Sequence, residues 1–359
     1  MTAGHRVSIV IPCRNEAGPV QRLLGSIRQQ DTAVHEVIVV DNASADDLAG
    51  TIDRWTSQHP GLPVRIVACP RVGIPAALNA GIRAAQGEVI VRFDAHSCPG
   101  EAYVRRAVET LDETGAGVVG GVWEVVPGDR TLTAQAIARA VSHPMGAGDA
   151  AYRTGRTSHG LREVDTVPFG CFLKATWEAL GGFNERLATN EDYEFNYRAR
   201  QSGHPVILDP RIRSTYYARS SFSALAAQYS RYGWWKAQML KSHPASLRWR
   251  QAVPAAFVAA AAGLGVATLA FALAGLHLLS RVTCGLLFAQ AAVYGGALTW
   301  AALRISGGRR TWRIFPLLPL VFSTIHFCWG GGVLVNVLTF GTWPGRYHRQ
   351  AAGRGGDTP

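Results

Sequence analysis

From residue 5 to about residue 125 the chain alternates short apolar runs with stretches of helical spacing. Val7–Ile11, Glu36–Val40, Val64–Ala68 and Glu88–Phe93 read as strands. Between them, Val20, Leu23, Leu24 and Ile27 give Glu16–Gln30 a helical face, and Asp46–Gln58 and Pro75–Ala85 carry the same period. Strand and helix in alternation, with short turns, predict an α/β fold with a parallel sheet covered by helices on both faces. Further on, Val167–Leu173 predicts a strand, and a helix starts at Asp192, runs to about Gln201 and stops at Gly203. Ser223–Leu240 mixes aromatic and basic residues, as helices at a membrane surface do.

Beyond residue 250 the pattern changes. Val253–Leu279, Val282–Leu303 and Ile314–Gly345 contain no Asp, Glu, Lys or Arg. About 20 apolar residues cross a bilayer as a helix, so spans are expected at about 253–279, 282–303 and 314–341. The third run holds His326, Pro316, Pro319 and Gly330–Gly332. It either spans once, kinked at the glycines, or enters and returns as a re-entrant pair. The expected organisation is therefore a soluble domain at 1–220, interfacial helices at 221–250, a membrane region at 251–345 and a disordered tail at 346–359.

Charge sharpens this division. The formal net charge is +11, with 36 basic and 25 acidic residues, yet only 17% of the chain is charged. Every acidic residue but Asp357 lies before residue 251, whereas arginines flank the apolar runs. The excess charge therefore marks membrane topology and contact with membrane lipid, and does not predict nucleic-acid binding. Arg248 and Arg250 before the first run, and Arg304, Arg309, Arg310 and Arg313 before the third, place residues 1–250 and the 304–313 loop in the cytoplasm. Arg346, Arg349 and Arg354 also prefer the cytoplasm, which conflicts with a count of three spans. Residues 1–25 lack the apolar stretch of a signal peptide. The six cysteines show no metal-binding spacing and are expected as reduced thiols.

In parallel sheets, ligands bind beyond the carboxyl ends of the strands, and here those ends are polar. The first strand runs into Pro12, Cys13, Arg14, Asn15 and Glu16, which can line a nucleotide pocket; alternatively Asn15 caps the following helix. Asp41 ends the second strand and can accept the N–H of a nucleobase, or with Ser44 cap the next helix. Asp94 and His96 follow Arg92-Phe93, two residues apart in one loop. A divalent cation held there, with open positions for phosphate oxygens, would neutralise a diphosphate leaving group. The imidazole suits manganese better than magnesium. Asp192, in Asn190-Glu191-Asp192, can act as general base toward a sugar hydroxyl or simply serve the helix N-terminus. No GxGxxG follows the first strand and no GxxxxGK[ST] occurs anywhere, so Rossmann and P-loop chemistry lack their fingerprints.

In order along the chain stand Val7–Glu16, Val39–Ser44, Ile74–Gly81, Arg92–His96, Val119–Gly121, Phe169-Gly170, Gly181–Glu185 and Asn190–Asp192. This ordered set resembles the family 2 glycosyltransferases of the GT-A fold, in particular the membrane-bound branch of succinoglycan-type glucosyltransferases. The resemblance covers residues 5–240. It implies a mixed sheet flanked by helices, followed by C-terminal transmembrane helices. It further implies a donor site of Pro12, Arg14, Glu16, Asp41, Asn79 and Asp94, and a Mn or Mg ion on Asp94 and His96, the latter replacing the second Asp of the usual DxD. Asp192 would be the catalytic base of an inverting displacement.

Gln228-Tyr229-Ser230-Arg231-Tyr232-Gly233-Trp234-Trp235 is similar to the QxxRW motif of polymerising members, with Tyr232 in place of Trp. Glu191, Gln228, Arg231, Tyr232 and Trp235 are the expected acceptor residues. The implied reaction moves a sugar, such as glucose from a UDP-sugar, to a polyprenyl-linked saccharide in cell-surface glycan synthesis. The expected location is the inner membrane, as a multi-pass protein with a cytoplasmic catalytic domain and glycan-assembly proteins as partners. A polyprenyl-phosphate sugar synthase is the alternative. A non-catalytic nucleotide-binding membrane scaffold is disfavoured, because Asp41, Asp94 and Asp192 occur together.

Overall fold

The computed structural model describes residues 4–155, 160–307 and 311–341. These form two compact units, one of residues up to 124 together with 151–216, the other of 125–150 together with the residues from 217 on. The expected disordered tail at 346–359 lies outside the described residues, as do Arg309 and Arg310.

The strands of the sheet are β1 (Val7–Cys13), β2 (Glu36–Asp41), β3 (Val64–Ala68), β4 (Val89–Arg92), β5 (Cys98–Pro99), β6 (Val118–Val126), β7 (Arg162–Glu163), β8 (Cys171–Leu173) and β9 (Val206–Tyr217). They are ordered β3-β2-β1-β4-β8-β6-β9-β5, with β7 beside β9. The first four are parallel, and β8 joins β4 antiparallel, pairing Val91 with Cys171. The sheet is thus mixed, as the family resemblance implied. The apolar run that predicts a strand over Val167–Leu173 keeps strand geometry only at Cys171–Leu173, because Phe169 takes a left-handed φ of 48° that breaks the extended chain.

Both faces of the sheet are covered. Helices α1 (Ala17–Arg28), α2 (Leu48–Gln58), α3 (Ile74–Ala84) and α4 (Tyr103–Thr114) connect the early strands. Alternation along β1 sends Val7, Ile9, Ile11 and Cys13 into a core with Leu23, Leu24, Ile52 and Leu111. Val10 faces the other way, onto Leu78 and Ile82 of α3. That second core also receives Phe172, Phe183 and Phe195.

The short helices α5 (Leu132–Val141) and α6 (Pro144–Ala147) belong to the second unit, and α7 (Ala151–Thr154), α8 (Lys174–Ala179) and α9 (Glu191–Gln201) to the first. The second unit continues through α10 (Phe222–Ser242), α11 (Trp249–Leu273), α12 (His277–Ile305) and α13 (Leu317–Leu338). The last three are long and apolar enough to cross a membrane. Within the third apolar run, Leu317–Leu338 is one continuous helix: the glycines at 330–332 neither break it nor turn it back as a re-entrant pair.

Candidate active site

The carboxyl ends of β1, β2 and β4 assemble an acidic cluster from short loops. Asn15 and Ala43 both adopt left-handed backbone conformations. They bring the β1 and β2 loops together: the Ala45 amide donates to the Asn15 side chain at 2.7 Å, and the Ala17 amide donates to Asp46 at 2.9 Å. Asn15 therefore ties two loops and is not the cap of α1. The capping position is Glu16, whose side chain makes no capping bond and instead lies 2.9 Å from Nδ1 of His96. Nor does Asp41 cap α2. Asp47 does, while Asp41 accepts the Ser44 amide at 2.9 Å and stays half-buried at the strand tip.

The field of this cluster is felt by Cys13 beneath it. Burial pushes that thiol up, and the carboxylates of Glu16, Asp41, Asp46 and Asp94 push it further. Pro12 is buried at the end of β1 and Arg14 is half-buried just beyond it.

Arg92 is the centre of the site. It is the last residue of β4, and its side chain is only 2% exposed. One terminal nitrogen donates to Asp94; the other donates to Asp192 and lies 3.3 Å from Glu191. A buried guanidinium needs such partners, and a buried carboxylate needs it in return. The backbone fixes its origin, since the Arg92 amide donates to Gly170 O at 3.1 Å and the Phe93 amide to Val10 O at 3.1 Å. The Tyr103 hydroxyl donates to Phe169 O, holding the strained turn beside it.

The two carboxylates respond oppositely. Although burial works against it, Arg92, helped by His96, holds Asp94 below the usual carboxylate range. Asp192 is pushed up to about 7, by loss of water around it and by Glu191 and Asp94, against the pull of Arg92. Asp192 nevertheless remains 29% exposed, in the first turn of α9.

Two expected ligand contacts are not where the sequence put them. Asn79 is buried, and its amide is committed inside the protein. It donates to Phe183 O and Glu185, and it accepts from the Phe183 amide and the Trp177 indole. It holds the Gly181–Phe183 turn and has no donor left for a nucleotide. Glu191, expected to meet an acceptor, is buried and turned toward Arg92. On α10, Gln228 is buried and donates to the Tyr232 hydroxyl at 3.0 Å, while Arg231 and Trp235 are half-buried. Arg92 itself carried a signal in the sequence: a lone arginine ending a strand of Val89, Ile90 and Val91 must be buried beside an acid.

Among the described residues no three metal-ligating side chains converge on one point. The chemistry of the donor set still suits a hard cation. Asp94 is ionised, Glu16 and Asp41 stand nearby, and His96 is 57% exposed at the rim.

The model of the glycosyl transferase family 2 matches residues 8–172. The chain is 28% identical over 340 residues to the succinoglycan biosynthesis protein ExoA of Rhizobium meliloti, covering 92% of this chain and 95% of that one. It is 25% identical to a dolichyl N-acetyl-alpha-D-glucosaminyl phosphate 3-beta-D-2,3-diacetamido-2,3-dideoxy-beta-D-glucuronosyltransferase of Methanococcus voltae, over 68% of this chain and 76% of the relative. Its fold is similar to a mannosyltransferase of Pyrobaculum calidifontis solved with GDP-mannose and Mn2+, with a TM-score of 0.58 and 20% identity over 94% of this chain and 88% of the other. The matched domain, the mixed sheet and the likeness to ExoA along nearly the whole chain make this protein similar to glycosyl transferase family 2 and its succinoglycan-type members.

Proposed function

We propose that the protein is a membrane-anchored inverting glycosyltransferase that moves a hexose, such as glucose, from a UDP-sugar to a lipid-linked saccharide. The first unit would carry the chemistry in the cytoplasm and the second would anchor it. The observation that carries this reading is the Arg92 bridge, which ties a low-pKa carboxylate, Asp94, to a high-pKa one, Asp192. Pairs of acids driven apart in this way divide labour between leaving group and nucleophile.

In this mechanism Asp41 accepts from the base of the donor nucleotide, with Pro12, Arg14 and Glu16 lining the pocket. Asp94, with His96, would hold a Mn or Mg ion that neutralises charge on the departing diphosphate. Asp192 takes the proton of the acceptor hydroxyl as its oxygen attacks C1 from the face opposite the diphosphate. Arg92 keeps Asp192 oriented, and Glu191 keeps its proton affinity near that of a working base. A base near pH 7 supports a hydroxyl acceptor over a bare polyprenyl phosphate, which ionises unaided. The Methanococcus relative, named for transfer to a dolichyl-linked sugar phosphate, supports the same choice. Arg231, Tyr232 and Trp235 remain the proposed acceptor contacts.

The test is a donor screen on detergent-solubilised protein with manganese, reading nucleoside diphosphate release across UDP-, GDP- and dTDP-sugars. Release that depends on a polyprenyl-diphosphate saccharide supports the proposal. Release driven equally well by polyprenyl phosphate alone would favour the synthase reading.

A further inference from the structure

The helix α13 is long and apolar enough to cross a membrane, but its neighbours place it differently. At 22 residues it is about 33 Å long. Along that length it touches elements that precede the first apolar helix in sequence. The Phe322 ring lies 5.9 Å from that of His143, just before α6, and His326 Nε2 is 2.7 Å from Met145 O. The Trp329 indole donates to Gln251 O in the first turn of α11. Asn336 then donates to Trp234 O on α10, and just past the helix Gly341 O accepts from Gln238, also on α10. A helix that crossed the bilayer beside α11 would leave these partners behind within its first turns.

The glycines fit a crossing of helices. A Cβ on Gly330 would stand 2.6 Å from Pro254 O, and one on Gly332 would stand 2.3 Å from Ser230 O. The run that looked like a kink is a close-approach surface, where α13 passes over the start of α11 and then follows α10. Phe327 meets Phe257 and Tyr294 at the same crossing.

The outward side is apolar: Leu320, Val335 and Leu338 are exposed, and α13 contains no Asp, Glu, Lys or Arg. Such a face requires hydrocarbon rather than water. Its ends carry interfacial residues: Trp312 and Arg313 before it, Phe340 after it, all exposed.

We infer that α13 lies along the membrane, its outer face in the lipid of one leaflet, and that the chain crosses only twice, through α11 and α12. Residue 341 is then on the same side as residue 249. The arginines at 346, 349 and 354 follow onto that side, and the conflict with the positive-inside rule disappears. This rests on the membrane anchoring proposed above.

The test uses the full chain in sealed vesicles of known orientation, with epitope tags at the N-terminus, in the 274–276 turn and after residue 359. Protease should remove the first and last tags from one face and the middle tag only from the other. If the last tag shares the face of the middle one, α13 spans and the inference is wrong. If all three share one face, anchoring by α11 and α12 falls, while donor turnover in the screen above would still stand. Leu276→Cys and Phe340→Cys, labelled by an impermeant maleimide above the wild-type level, repeat the comparison without an insertion. They should label from opposite faces, and labelling from the same face would overturn the inference.

Discussion

Arg92 and Asp192, a hundred residues apart in the chain, are joined by a direct guanidinium–carboxylate bond at the end of β4. The same guanidinium holds Asp94, so the proposed leaving-group and nucleophile sides of the reaction share one buried cation. Positioning of this kind is where small displacements have large kinetic effects.

Replacing Arg92 by Lys keeps the charge but removes the fork that reaches both acids. The expected outcome is a fall in kcat of about 100-fold, the size of effect that misplacement of a catalytic group can produce, with a smaller change in donor KM. Steady-state kinetics on folded R92K protein checks this, with circular dichroism as the control. Arg92→Met should also destabilise the domain, because it leaves buried carboxylates without their counter-charge, at a cost of about 3–5 kcal/mol.

The rate should depend on pH through Asp192. Its pKa is raised to about 7, and a general base works only when ionised, so kcat/KM should rise with pH and level off above that value. Glu191 helps to raise the pKa. Glu191→Gln should therefore move the inflection to lower pH. An inflection that stays in place would remove Glu191 from the account.

Chelation should abolish nucleoside diphosphate release, and manganese should restore it. Asp94→Asn should raise the manganese concentration needed for half-maximal activity by about 10–100-fold, the range found when metal-site support is lost. His96→Ala should give a smaller shift, because that side chain is at the exposed rim.

Gly332→Ala places a methyl group within 2.3 Å of Ser230 O, a backbone atom that cannot swing aside. Overpacking of this kind costs about 1–3 kcal/mol. Thermal unfolding in detergent should show a lower midpoint, whereas Gly331→Ala, which meets nothing, should be close to wild type.

The early strands and helices were legible because β1 to β4 are rich in Val and Ile and their helices carry full apolar faces. Asp41 and Asp94 stood out in the sequence because they end or follow the apolar strands β2 and β4, and Asp192 because it sits in an acidic run at the start of α9. The fate of Asn79 was not, since its four bonds come from residues 98 to 106 positions away. Arg92 was visible as an anomaly, but its partner on α9 depends on long-range topology. The glycines at 330–332 misled because close helix packing and helix breaking leave the same mark in a sequence.

The most direct test of the central claim is single-turnover transfer by Asp192→Asn with the donor chosen by the screen. The account predicts that the variant binds the donor nucleotide as well as wild type but transfers about 100- to 10,000-fold more slowly, the contribution expected of a general base. It also predicts that wild-type product has the anomeric configuration opposite to the donor's. Full transfer by the variant, or retention of configuration, would contradict it.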